Sequence, residues 1–379
     1  MSTLKVNTIG NKGSAVDFPN KLKVRGNAIE QGYTASGTEP SSPSEGDIWY
    51  DSTNEKTFQY INGEFKEISI KPVLKNAGDR AVHHGGYTST SGLATERLDY
   101  WAISTLGNAA DFGDLLTSQR SYGRGSVSDR TYGIFFPQYN TNVIERITFG
   151  TLGNATDFGN TTISTYNYSC FSDGTLGYFV HNQTGAGTIG AASIDKFTIA
   201  TSANATDFGY DFNNDRINAL GLSDGTTGFH LGGLTAVSSS SVSNVIEYIT
   251  LASAADSSDY GDLTLGRQSL AGAANLNRAV TSGGKNVNGS SVNLMDYFSV
   301  TTAGNATDFG DLVTFGYEQM AATCNGDGRM CMSGGYATAV GAPLETIQYV
   351  EMGTAANAVD FGDLLGTSSD ANSASGNAS

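Results

Sequence analysis

Four histidines, at positions 83, 84, 181 and 230, are the chain's whole supply for general acid–base or imidazole–metal chemistry. His83 and His84 are adjacent, so on a strand they point to opposite faces and cannot easily share a metal. Cys170, Cys324 and Cys331 have no metal-ligand spacing and are too few for a disulfide framework. They read as buried thiols acting as small hydrophobes. Cys324 and Cys331 flank the turn-like Asn325-Gly326-Asp327-Gly328 and so face each other across a hairpin. Carboxylates recur at one equivalent place, at Asp99, Glu145, Asp195, Glu247 and Asp296, with Gln348 as the sixth member. Glycoside hydrolysis needs two carboxylates in distinct roles, and six equivalents single out no pair. We therefore expect no catalytic residue, no metal site and no cofactor. Arg120, Tyr166, Arg216, Arg267 and Tyr317 also recur at one place. Arginine and tyrosine suit binding of sugar hydroxyls and acidic groups, and stacking on rings, so these five are the candidate receptor contacts. The competing reading pairs them with neighbouring aspartates.

The elements that must position these residues come from a repeat. Asn108-Ala109-Ala110-Asp111-Phe112-Gly113-Asp114-Leu115 returns five times, with Asp157, Asp207, Asp259, Asp308 and Asp360 in the place of Asp111. The intervals are 46, 50, 52, 49 and 52 residues, too regular for chance. Each unit has a small-residue stretch, a turn such as Asp173-Gly174, and an apolar run that ends in Gly-Gly in four copies. A variable loop follows, then an alternating strand such as Val245-Ile246-Glu247-Tyr248-Ile249-Thr250-Leu251. Period-2 alternation marks strands. The closing Asp-Phe-Gly segment is read as structural: Phe packs between sheets, Gly takes an unusual backbone angle, and Asp and Asn cap the turn. Repetition excludes a kinase-type magnesium aspartate, since one metal site needs one aspartate.

Four strands per ~50 residues is the arithmetic of a β-propeller. The unit resembles a kelch repeat, with Phe or Tyr where kelch has a late Trp. Gly-Gly becomes Pro137-Gln138 and His181-Asn182 in two copies. The expected fold is all-β: a six-bladed kelch-like propeller over 77–379. The first unit begins at its second strand, near 79–87. Ser368–Ser375 aligns with the missing first strand and is expected to pair there, closing the ring. Ser172-Asp173-Gly174-Thr175 and Ser223-Asp224-Gly225-Thr226 are similar to sialidase Asp-boxes but lack the following Trp. Alternating chain direction puts the Asp-Gly turns and Asp-Phe-Gly loops on one face. The variable loops and crossings lie on the other, where recognition is expected.

Composition narrows the class. No apolar run approaches ~18 residues, which excludes a membrane helix, and the start lacks an apolar signal core. The formal net charge is −16, which opposes nucleic-acid binding. Residues 1–70 hold 7 basic and 9 acidic groups, so the acidity belongs to the repeats. Two smaller parts precede them: a segment over 1–36, then a connector and small β-meander over 37–76. Asn62-Gly63 is its hairpin turn.

The stretch Pro40-Ser41-Ser42-Pro43-Ser44-Glu45-Gly46-Asp47-Ile48-Trp49-Tyr50-Asp51, with Tyr60-Ile61-Asn62-Gly63-Glu64-Phe65, resembles a module of bacteriophage tail fibres. Leu4-Lys5-Val6-Asn7-Thr8-Ile9 and Val16–Val24 are similar to the N-terminal ends of such fibres, particularly from marine phages. The resemblance implies a virion protein with 1–36 as the tail-attachment and oligomerisation segment, other tail proteins as partners and a homotrimeric state. The propeller would be displayed outside the host to bind a surface receptor of glycan type, in this family's manner, without enzymatic activity. The alternatives are a structural tail protein that docks other subunits through the propeller, and a glycan-degrading tailspike-like enzyme.

Overall fold

The computed structural model describes residues 23–24, 27–28, 33–51, 53, 56–67, 77–88, 94–119, 125–136, 141–165, 167–183, 189, 193–237, 241–253, 255–313, 316–326 and 328–377. The chain divides into two compact units, Met1–Pro72 and Val73–Ser379. The fibre-like Leu4–Ile9 motif lies outside the described residues, as does nearly all of Val16–Val24.

The first unit carries a four-stranded sheet of Tyr33–Ser36, Ile48–Asp51, Lys56–Ile61 and Glu64–Glu67. The last three form the expected meander. Tyr33–Ser36 precedes the proline-rich connector and pairs in parallel with Ile48–Asp51, which sequence reading missed. Trp49 is its anchor. The indole stacks on Phe58 at 4.9 Å, and its N–H donates to the Ser36 carbonyl at 3.1 Å. Asn62 and Gly63 both take positive φ, 53° and 87°, as a two-residue hairpin turn requires.

The second unit is all β, in six antiparallel sheets. Sheet 2 runs Val127–Ser128, Tyr132–Phe135, Thr141–Thr148, Thr156–Thr165, and sheet 3 runs Asn167–Ser172, Leu176–Gln183, Ile194–Thr198, Thr206–Asp207. Sheet 4 is Leu220–Ser223, Thr227–Leu231, Val245–Thr250, Ser258–Asp262, and sheet 5 is Ala271–Ala274, Arg278–Ser282, Leu294–Ser299, Thr307–Asp311. Sheet 6 has Ala321–Cys324, Arg329–Ser333, Ala342–Glu351 and Val359–Ser368, with short Tyr336–Ala337 on its third strand. Sheet 1 combines both ends of the unit. Asn372–Gly376 pairs with Arg80–His84, followed by Thr95–Ala102 and Ala110–Gln119. Sequence reading placed that partner at 79–87.

Each sheet buries both faces. One face of sheet 1, with Val82, Leu98, Phe112 and Leu115, packs on Phe135, Ile147 and Phe149 of the sheet 2 unit. Its other face, with Ala81, Trp101 and Ile103, packs on Cys331, Ile347, Phe361 and Leu364 of sheet 6. Comparable cores join sheets 2 and 3, 3 and 4, 4 and 5, and 5 and 6. A fully buried Phe in such a layer contributes about 1.5–3 kcal/mol.

The recurring phrase is the latch between sheets. The N–H of Asp363 in sheet 6 donates to Asn108 Oδ1 in sheet 1 at 3.1 Å. Asp114 to Asn154, Asn160 to Asn204, Asp262 to Asn305 and Asp311 to Asn357 repeat that bond at 3.0–3.1 Å. Asp256 substitutes for Asn at the junction of sheets 3 and 4, at 3.3 Å. The glycine of Asp-Phe-Gly is needed twice over. At Gly310 φ is 138°, and an added Cβ would lie 2.6 Å from the Ala356 carbonyl oxygen of the next sheet. The aspartates 111, 157, 207, 259, 308 and 360 are themselves exposed. Sequence reading shared the capping between Asp and Asn, but across the sheets the cap belongs to the Asn three residues earlier. Sheet 3 departs from the pattern. Its outer strand is two residues long, Phe208 is half-buried, and Phe212 fills the core at 3% exposure.

Candidate functional site

The expected contacts Arg216 and Arg267 are not at the surface: both are 0% exposed. Arg216 donates to the carbonyls of Gly232, Val245 and His230 and pairs with Glu247 at 2.5 Å. Arg267 donates to the Gly283 and Leu294 carbonyls and pairs with Asp296 at 2.6 Å. The cause is the crossing itself, which carries the chain beneath the ends of two strands whose carbonyls need donors. A guanidinium supplies five. Tyr317 is 2% exposed, within the core shared by sheets 5 and 6. Arg120 and Tyr166 lie outside the described residues. Pairing with a neighbouring acid is thus what Arg216 and Arg267 do.

The row of acidic equivalents joins the sheets. Leu365 N–H donates to Asp99, Leu116 N–H to Glu145, Thr162 N–H to Asp195, and Val313 N–H to Gln348, at 2.7–3.1 Å. Leu365, Leu116 and Thr162 lie on the outer strand of the preceding sheet, and Val313 just beyond it. Thr264 and Asn214 make the corresponding side-chain bonds to Asp296 and Glu247. Burial raises the Asp99 carboxyl above its usual range, although Arg97 opposes the rise.

His83 is held between hydroxyls, Nδ1 at 2.9 Å from Ser333 Oγ and Nε2 at 2.9 Å from Ser368 Oγ. The trio has the distances of a nucleophile–base–orienter array. However, Ser333 and Ser368 are 0% exposed, and Ser368 Oγ also donates to the Gly85 carbonyl. No substrate reaches a hydroxyl so enclosed, and the trio ties sheet 6 to sheet 1. Burial, with the His84 and Arg97 charges, holds the His83 imidazole well below its usual pKa. Among the described residues, no group of three or more His, Cys, Asp or Glu is placed to hold a metal. Cys324 and Cys331 are free, buried thiols, and burial raises both; they do not face each other as expected, because the register sets Cys331 opposite Thr323 and Cys324 opposite Met330.

Where the chain enters the first strands of sheets 4, 5, 6 and 1, a partial ring forms among the described residues that sequence reading missed. Asn218, Ser269, Gln319 and Asp370 take left-handed φ values of 56°, 55°, 60° and 53°. Such angles in non-glycine residues cost of order 1 kcal/mol or more and persist where the surroundings hold them. Here the N–H of Ser269 donates to the Asn218 carbonyl, Gln319 to Ser269, and Asp370 to Gln319, at 3.0–3.2 Å. The amides extend the chain: Asn167 Nδ2 donates to Asn218 Oδ1, and Asn218 Nδ2 to Gln268 Oε1. An outer tier pairs with this ring through the residues that follow Gly-Gly. Leu234 pairs with Ile217, Lys285 with Gln268, Tyr336 with Glu318, and Tyr87 with Ser369. The one sequence signal for these residues was that the position after Gly-Gly varies among copies, with Tyr87, Leu234, Lys285 and Tyr336.

A cavity of about 90 Å³ is lined by first-strand residues of all six sheets, including Ser126, Ser172, Ser223, Ala271, Thr323 and Ser373. The ring of left-handed residues, with its outer tier, is the candidate binding surface. No known protein family matches the chain, and no curated protein is significantly similar to it.

Proposed function

We propose that the six sheets are the blades of a closed, kelch-like β-propeller, and that the chain is a phage tail fibre or tail-tip adhesin binding a host-surface glycan. Supporting closure, sheet 6 joins sheet 1 through the same asparagine latch and the same carboxylate bond that join the other sheets. The observation that carries the binding role is the crossover ring. It presents unlike side chains on backbone locked by successive hydrogen bonds, and a pre-ordered surface avoids much of the ordering cost of association. The buried carboxylates are consumed in holding sheets together, which favours binding over glycan cleavage. The fibre-like motifs before residue 70 support mounting on the virion through the N-terminal segment, as a homotrimer.

The test is incubation of the purified full-length chain with lipopolysaccharide and capsular polysaccharide isolated from candidate hosts. Saturable binding with the polymer length unchanged is expected. Shortening of the polymer would convert the protein into a depolymerase, and absence of binding across hosts that the virus infects would favour the subunit-docking role. Light scattering checks the trimer separately.

A further inference from the structure

We infer that the glycan-contact subsite lies where sheets 6 and 1 meet at the crossover ring, and that its ligand is an uncharged saccharide gripped by Tyr87, Tyr336 and Gln319. This rests on the receptor-binding reading above.

Of the outer-tier residues described, only those of sheets 6 and 1 are aromatic. Leu234 in sheet 4 is 6% exposed, and Lys285 in sheet 5 is committed to Glu318 at 2.8 Å. Tyr87 and Tyr336 are half-buried, each with part of its surface open. Both flank one crossing. Ser369 O accepts the N–H of Tyr87 at 2.7 Å, and Ser368 O accepts the N–H of Gly335, next to Tyr336, at 2.7 Å. Two strand spacings separate the backbones of such neighbours, on the order of 10 Å, which is the scale of one saccharide unit contacted from both sides.

Gln319 lies in the inner tier of the same sector. Its backbone is fixed at both ends, donating to Ser269 and accepting from Asp370, while its side chain is half-exposed. An amide offers both donors and an acceptor, which matches a sugar hydroxyl that also does both. Aromatic rings beside it suit the apolar C–H face of a sugar.

Charge decides the ligand class. The chain has a formal net charge of −16. Among the described residues, the rim cation Lys285 pairs with Glu318, and Arg97, whose guanidinium donates to the Gly366 carbonyl where sheets 6 and 1 meet, pairs with Asp99. A polyanionic capsule or phosphate-rich polymer would meet repulsion that neither of these paired cations offsets, whereas a neutral hexose polymer would not.

The experiment uses an array of neutral oligosaccharides (glucans, mannans, galactans) beside uronate-containing and sialylated ones, probed with the full-length chain. Variants Tyr87→Ala, Tyr336→Ala and Gln319→Ala are compared with Tyr87→Phe and Tyr336→Phe, each checked by its melting curve. The expected result is binding confined to neutral sugars. Each Ala variant should bind at least tenfold more weakly at unchanged melting temperature, and each Phe variant should stay within about threefold of the parent chain. Neutral-sugar binding that survives all three Ala substitutions overturns the subsite and leaves the receptor reading standing. Binding to acidic sugars alone overturns the ligand class. No binding to any glycan, with capture of a protein from the host envelope instead, overturns both. Should an Ala variant fold poorly, the Phe variants and a Gln319→Glu variant decide: added negative charge must not switch binding toward acidic sugars.

Discussion

Lowering the pH from 7 to 5 should unfold this protein far more easily than its carboxylates alone would predict. His84 is fully enclosed, its ring 4.7 Å from Phe135 of sheet 2. Neither ring nitrogen has a hydrogen-bond partner. Burial pushes its pKa from 6.5 down to about 3. The folded state thus stays unprotonated where the unfolded state takes up a proton. Stability is complete above the unfolded value of 6.5, falls as the pH drops below it, and stops falling near the folded value of about 3. From 6.5 to 5 is 1.5 pH units, so His84 alone removes roughly 2 kcal/mol by pH 5 at 1.36 kcal/mol per unit. His83 and His230 are lowered too, chiefly by burial, and act with the same sign. Three such groups threaten a total stability of ~5–15 kcal/mol. Urea unfolding at pH 8, 6 and 5, for the parent chain and His84→Leu, measures the effect. The variant should keep about 2 kcal/mol more of its pH 8 stability at pH 5 than the parent does. Identical pH profiles for the two chains would show that His84 is accessible to protons in the folded state, and the reasoning from its burial would fail.

Four further expectations concern what joins the sheets. Removing residues 371–379 leaves Arg80–His84 without its strand partner and should abolish most of the stability, so an unchanged melting temperature would refute that pairing. Asp296→Ala strands the buried Arg267 charge and should cost about 3–5 kcal/mol, while Arg267→Leu with Asp296→Leu should cost clearly less in the same denaturation assay. Gly310→Ala forces a Cβ within 2.6 Å of the Ala356 oxygen at a φ of 138° and should lose roughly 1–3 kcal/mol from backbone strain alone. Asn305→Ala, which removes the latch to Asp262, should cost about 1 kcal/mol, whereas Asp308→Ala at the neighbouring exposed position should change stability by less than ~0.5 kcal/mol; equal losses would mean that the aspartate shares the cap.

The repeat was legible because each sheet uses the same few residues for the same job. Phe112, its equivalents and the following glycine are dictated by one geometry, contact with the next sheet's turn, so they recur almost unchanged. The missing first strand was legible for the same reason, through the phase of the repeat at both ends of the unit. The crossing arginines misled because an arginine's length lets it reach either water or a buried carboxylate. Composition does not distinguish the two, and only the strand ends above Arg216 and Arg267 do. The left-handed residues were hidden more deeply. Asn218 and Asp370 are types that tolerate positive φ, but Ser269 and Gln319 are not marked for it, and their angles follow from the ring bonds between sheets. Tyr33–Ser36 was missed because a parallel partner can lie across a connector, where no hairpin signal announces it.

The exposed aspartates that cap nothing across the sheets have a consequence for how copies of this protein behave in a crowd. The far side of each outer strand is met by the next sheet's turn rather than by a strand, as where Gly153 and Ala155 N–H donate to the Phe112 and Asp114 carbonyls at 2.8 Å, so a stranger's backbone can add only along the stretch of this rim beyond that turn. Exposed apolar side chains such as Leu116, Ile163 and Leu365 lie on three of those strands, which makes the hazard concrete. Every rim also bears a carboxylate at the same place, from Asp111 round to Asp360. Two molecules meeting rim to rim therefore bring negative charge against negative charge. The repulsion is blunted by salt. The same carboxylates thus set the condition under which copies of the chain should associate rim to rim: high ionic strength.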